Sequence, residues 1–324
     1  MRGAVHIAGL LLTVLAVILY QYNPPVLEEL RLKSFDFFLR NRPAPLGDTR
    51  VVIVDINSES LLRYGQWPWS RDLLAKMLER ITAAEPAVVG FDILFAEPDR
   101  SSPLMSGHDI SQYDFTLAKA LHESPIPVVL GYAFTGTDMQ SVRKENAPKT
   151  GGFVFSGGDP LPFLHTFTGV DSNISVLERT ASGSGFFNII PDMDSITRCI
   201  PLLAGFENQV YPSLILSMIQ AAEGDGNAVK VVVDRESTRS GIQAVHSGPY
   251  EMPTNMQGEL LVHFSGPSHT FPYITAGDIL SDNYDPASLR EMFIDTYVLI
   301  GISAPGLFDI RSVPTDPVLP GVEL

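Results

Sequence analysis

Apolar and polar positions change period repeatedly along the chain. Ala4 to Tyr20 (AVHIAGLLLTVLAVILY) is an apolar run interrupted by His6. As a helix rising about 1.5 Å per residue, Ala4 to Tyr22 covers roughly 28 Å, close to the thickness of a bilayer's hydrocarbon core. An uncleaved transmembrane anchor over residues 1–22 is therefore expected. A cleaved signal peptide competes, because Arg2 supplies a positive start, yet no A-x-A pattern precedes Asn23-Pro24-Pro25. A buried core helix fits less well, since Arg2 and the pair Tyr20 and Tyr22 mark the two ends as interfacial. Arg31 and Lys33 offset Arg2, so charge leaves the orientation open.

From Val26 to Arg40, apolar residues recur at Leu27, Leu30, Phe35, Phe38 and Leu39. This helical spacing predicts an entry helix, within a segment 23–45, that docks on the domain and ends at Pro43 and Pro45. The remainder, 46–324, reads as one domain. Val51 to Ile56, Ala87 to Phe95 and Pro127 to Phe134 are short apolar runs typical of strands buried on both faces. Between them, Ser70 to Ala84 and Asp109 to His122 have helical spacing, with Ser70 placed as an N-cap. The alternation predicts an α/β fold with a mostly parallel sheet flanked by helices. Thr296 to Ile302 is a further buried run, expected beside the first strand. Residues 135–165 turn polar and Gly/Ser-rich, as a surface insertion would. Short runs at 185–190, 196–204, 229–233 and 259–264, with a helix over 211–223, predict a mixed, β-rich second half.

Composition narrows the function. The 324 residues are 45% apolar and 18% charged, enough for one large core or two modest ones. With 22 Lys and Arg against 37 Asp and Glu, the formal charge is −15, which repels phosphate backbones and argues against a nucleic-acid partner. Cys199 is the single cysteine, so no internal disulfide forms, and no His/Cys spacing suits zinc. No metal or cofactor is expected.

Phosphate-loop, H-E-x-x-H, nucleophile-elbow and EF-hand patterns are all missing. Ser182-Gly-Ser-Gly185 lacks the third glycine of a phosphate cradle, and Asp192 and Asp194 read better as turn carboxylates than as calcium ligands. One constellation remains. Asp55 and Asp92 end predicted parallel strands, Asp309 follows the last strand, and Arg71 starts the intervening helix beside Trp67. Ligands bind at the carboxyl ends of such strands, which makes these five a candidate ligand site. The competing reading is a structural ion pair of Arg71 with Asp55 or Asp92 that positions the Trp67-Pro68-Trp69 turn. A membrane-anchored hydrolase or phosphotransferase using Asp55 or Asp92 is the alternative function. It is the weaker one, because His263 and His269 belong to no catalytic motif and no catalytic residue is assigned.

Val51-Val-Ile-Val-Asp-Ile56, Gly65-Gln-Trp-Pro-Trp-Ser-Arg71 and Gly90-Phe-Asp-Ile-Leu-Phe-Ala-Glu-Pro-Asp99, in that order, resemble the second type of CHASE domain, the cyclases/histidine-kinases-associated sensory extracellular module. Gly185-Phe-Phe-Asn188, Pro191, Asp192, Asp194 and Arg198 resemble its central segment, with Ser195 where a glycine is usual. Tyr211-Pro-Ser-Leu214 resembles its following helix start; Leu299-Ile-Gly301, Ala304-Pro-Gly-Leu-Phe-Asp309, Pro314 and Pro320-Gly-Val-Glu323 resemble its closing signature. The resemblance implies the extracytoplasmic sensor of a bacterial membrane receptor, facing the periplasm or exterior and held in the inner membrane. It also implies a homodimer, a small-molecule or physical signal, and a cytoplasmic nucleotide cyclase or kinase as output.

Overall fold

The computed structural model describes residues 2–22, 25–47, 49–102, 111–136, 148–224, 228–235, 240–304 and 310–324. The chain begins with α1 (Arg2–Tyr22) and α2 (Pro25–Asn41). It continues through β1 (Val51–Asp55), α3 (Ser58–Tyr64), α4 (Arg71–Thr82), β2 (Val88–Phe91), α5 (Gln112–Glu123) and β3 (Val128–Thr135). Next come β4 (Phe153–Ser156), β5 (Thr166–Phe167), β6 (Gly169–Asp171), α6 (Ser175–Thr180) and β7 (Gly183–Phe186). They are followed by β8 (Cys199–Pro201), β9 (Leu203–Phe206), β10 (Gln209–Pro212) and α7 (Leu214–Ala222). The last third holds β11 (Val229–Asp234), β12 (Gly241–Ser247), β13 (Tyr250–Pro253), β14 (Glu259–Leu261) and β15 (Tyr273–Thr275). It closes with α8 (Ala276–Leu280), α9 (Pro286–Phe293), β16 (Tyr297–Gly301), β17 (Ile310–Arg311) and β18 (Leu319–Pro320).

A seven-stranded sheet organises the domain, in the order β15-β1-β16-β2-β3-β6 with β7 also on β3. Strands β15, β1, β16, β2 and β3 run parallel, as does β7 beside β3. Their apolar residues alternate between faces with the two-residue period of a strand. Val52, Val54, Val89, Phe91, Val298 and Ile300 point to the side covered by α4, α5, α8 and α9, packing on Leu74, Leu78, Leu117 and Ile279. Ile53, Val88, Val129 and Leu299 point to the other side, under Leu214 and Met218 of α7. Both faces are thus dry, which explains why the strand segments read as unbroken apolar runs rather than alternating ones. Gly90 lets α7 lie close, since a Cβ there would meet Met218 Sδ at 2.2 Å.

The second half carries a four-stranded sheet, β13-β12-β11-β4, with its own core of Leu164, Leu202, Val231, Ile242 and Val245. Within the segment 135–165, expected as a surface insertion, β4 pairs parallel with β11, and Leu164 is buried in that core. Val154 and Phe155, on opposite faces of β4, are both exposed, so an edge strand with little buried surface lies among Gly and Ser residues and shows no apolar pattern. Residues 137–147 of that segment lie outside the described residues. The segment 182–185 forms most of a buried strand on β3.

At the N-terminus, α1 is a helix with Ile7, Leu10, Leu11, Leu12 and Val17 exposed. Among the described residues, no helix is long and apolar enough to cross a membrane, so the spanning anchor expected over 1–22 is not supported. The entry helix forms as expected and docks through Leu39, which is buried with Phe264, Val313 and Leu319.

Candidate functional site

The sheet's carboxyl edge opens into a cavity of about 310 Å³. Three features of the chain build it. Strand β2 stops at Phe91, so Asp92, Ile93 and Leu94 leave the sheet and line one wall. Phe187 and Asn188, just past β7, line a second, and Leu299 and Ile302 at the end of β16 a third. The first turn of α7 contributes Ser213 and Ile215, and Trp67 from the α3–α4 turn completes the rim. Ser213 caps α7, accepting from the backbone N–H of Leu216. The side chain of Asn188 bonds both ways to Phe134, accepting from its N–H at 2.6 Å and donating to its carbonyl at 2.9 Å.

The structure divides the five residues singled out from sequence. Trp67 and Asp92 share this cavity. Asp55 is buried and turned to the β16 loop, accepting from the Ser303 hydroxyl at 2.6 Å and from its backbone N–H at 3.1 Å. Burial pushes the Asp55 carboxyl above the usual carboxylate range, against the two Ser303 bonds. Asp309 lies outside the described residues.

Arg71 belongs to a separate cluster, where its charge faces Asp114 rather than the Asp55 or Asp92 of the competing reading. Its guanidinium lies 4.5 Å over the Phe95 ring, with Nε 3.7 Å from Asp114 and Nη2 donating to the Glu97 carbonyl at 3.4 Å. The reason is the short β2: the chain leaves the sheet early and brings Asp99 under the start of α4. There Asp99 accepts the Arg71 backbone N–H at 2.6 Å, while Ser70, the N-cap by position, makes no side-chain cap bond. Asp114 closes the cluster, accepting from the N–H groups of Asp99 and Ser111 in a capping box that starts α5. Burial lowers the Arg71 pKa, while Asp114 and Asp99 oppose that shift.

A second ion cluster was not read as a site from sequence. Arg198 is only 1% exposed and donates five hydrogen bonds to three carboxylates. Nε and Nη2 reach the two oxygens of Asp36 on α2, each at 2.8 Å. Nη1 donates to Asp192 at 2.6 Å and to Asp194 at 3.0 Å, and Nη2 to Asp194 at 2.8 Å. All five N–H groups of the guanidinium fork are used, the arrangement that distinguishes arginine from lysine. These bonds, Asp36 first, raise the Arg198 pKa, and Arg198 in turn holds the Asp194 carboxyl below its usual range. The Asp192 and Asp194 turn therefore serves an internal cation. A signal did exist in the sequence: Asp194 and Arg198 stand four apart, and Asp36 is an acid between the apolar Phe35 and Leu39.

Within that turn, Ser195 has φ +63°, and its N–H closes the turn on the Asp192 carbonyl at 2.8 Å. The left-handed conformation costs a non-glycine residue about 1–2 kcal/mol, which gives the glycine usual at this place a physical reason. Ser195→Gly is expected to raise stability by about 0.5–1 kcal/mol, that relief less the extra chain entropy glycine loses on folding. Urea unfolding of the two chains checks it, with an unchanged or lower midpoint as the contrary result.

Residues 11–324 match the family model of the CHASE2 domain. The chain belongs to the CHASE2 domain family, whose members are extracellular sensory domains. No match was found among curated proteins or among solved structures.

Proposed function

We propose that this chain is the extracytoplasmic signal-input part of a bacterial transmembrane receptor that works as a homodimer and controls a cytoplasmic nucleotide cyclase or kinase. The observation that carries the reading is the joint between α2 and the domain. A sensor has to pass its state to the helix by which the chain reaches its output, and a change matters only if the two states differ in the contacts they make with that helix. Asp36 and Leu39 supply such contacts: a two-pronged ion pair to Arg198 and an apolar seat against Phe264. The exposed apolar side chains of α1 support attachment of the N-terminal end to a membrane. Family membership supports an input role for the chain over the hydrolase alternative.

Reporter fusions placed after Leu324 test the location. Alkaline phosphatase, which folds only outside the cytoplasm, is expected to be active and β-galactosidase inactive. The reverse pattern would overturn an extracytoplasmic input domain.

A further inference from the structure

We infer that the cavity at the carboxyl edge of the sheet is a binding site for a neutral, compact, two-ring aromatic molecule. The inference rests on the sensory reading above and names the ligand class it would serve. Size sets the first bound. An apolar cavity of about 150 Å³ holds one benzene ring, and this one, at about 310 Å³, has room for roughly two. Surface chemistry sets the second. Trp67, Ile93, Phe187, Ile215, Leu299 and Ile302 present rings and branched aliphatic groups, which favour a flat apolar partner through area and edge-to-face contact.

Charge sets the third. Asp92 and Arg311 are the charged residues of the lining, opposite in sign, and each already interacts within the protein. Asn188 is committed to Phe134 and Ser213 to the start of α7. A charged ligand would meet a lining whose two charges cancel, with no net opposite charge to offset the desolvation cost of burying its own. A neutral molecule meets no such cost. The site also touches the ends of β2, β7 and β16 and the first turn of α7, so a ligand there would bear on four elements of the domain at once.

The chain has two tryptophans, Trp67 in the cavity wall and Trp69 with its ring centroid 6.2 Å away, so 5-fluorotryptophan labelling gives two ¹⁹F resonances that report on this site. The Trp67→Phe chain assigns them. The probes are indole and 2-naphthol, with naphthalene-2-sulfonate and 2-naphthylmethylamine as charged counterparts, titrated into the full chain. Saturable shifts of the Trp67 resonance are expected with the neutral pair, and at least tenfold weaker binding with both charged ones. Ile215→Trp, which fills the cavity from α7, is expected to weaken 2-naphthol at least tenfold while the melting temperature holds or rises. Should that variant not fold, Ile302→Phe replaces it in the same comparison. No saturable shift up to the probes' solubility, charged probes binding as well as neutral ones, or binding that survives cavity filling would each overturn the assignment. The fusions after Leu324 read location alone, so failure of the cavity and failure of the sensory reading give different results.

Discussion

Arg198→Met is expected to lower the unfolding free energy by about 3–5 kcal/mol, the range for removing one partner from a buried ion pair. Its size comes from Asp36, which is buried and would lose the two bonds from Nε and Nη2. Asp192 and Asp194 add less, because both are about one-third exposed in their side chains and water can replace the lost donor. The double variant Asp36→Asn with Arg198→Met should lose less than the sum of the two single losses, since it removes the stranded carboxyl group along with its partner. Acid supplies a second measurement. Arg198 depresses the Asp194 pKa, so this contribution is fully present above the ordinary value of 3.8 and disappears as pH falls through the lowered one. Stability measured from pH 5 downward should therefore decline less steeply in Arg198→Met than in the parent chain. A parallel decline, or a loss under 1 kcal/mol at neutral pH, would show that the clamp contributes little.

Gly185→Ala should be the most damaging single-methyl addition in the sheet, at about 3 kcal/mol or more, the upper end of overpacking. A Cβ at Gly185 would lie 2.5 Å from Leu214 Cα and from the Ser213 carbonyl oxygen, and 2.6 Å from Leu214 N. All three are backbone atoms at the start of α7, so relief requires the helix to move off β7. Gly90→Ala is the informative comparison, because its Cβ meets the flexible end of Met218 instead. Thermal unfolding should place Gly185→Ala well below Gly90→Ala, and equal losses would mean that α7 yields as easily as a methionine.

Much of the central sheet is legible in the sequence because its strands are dry on both faces. The runs around Val51, Val88, Val128 and Tyr297 need only be apolar and β-branched, and their length separates them from helices. Strands such as Thr166–Phe167 or Ile310–Arg311 are two residues long and exist through their neighbours, so no period could announce them. Of the five residues expected at a ligand site, two line the cavity, Trp67 and Asp92. Asp92 follows from the rule that ligands sit where parallel strands end, whereas Trp67 reaches the rim from the α3–α4 turn. The partner of Arg71 is hidden in the sequence because the end of β2 decides which carboxylate reaches it, and the apolar run to Phe95 continues past the last paired residue. Asp36 and Arg198 lie 162 residues apart, and only the packing of α2 brings them together.

The order of the sheet also governs how the chain can be made. Strand β1 lies between β15 and β16, so the first strand synthesised finds both its neighbours among the last, and the Asp55–Ser303 bond spans 248 residues. Until Gly301 is available, β1 and β2 each carry an open parallel edge, a surface that invites pairing with other chains. Such long-range closure makes folding slow and leaves no shorter N-terminal piece that is complete in itself. Shortening the chain before Tyr297 should therefore yield aggregates rather than a smaller folded domain, which light scattering of the shortened chain checks.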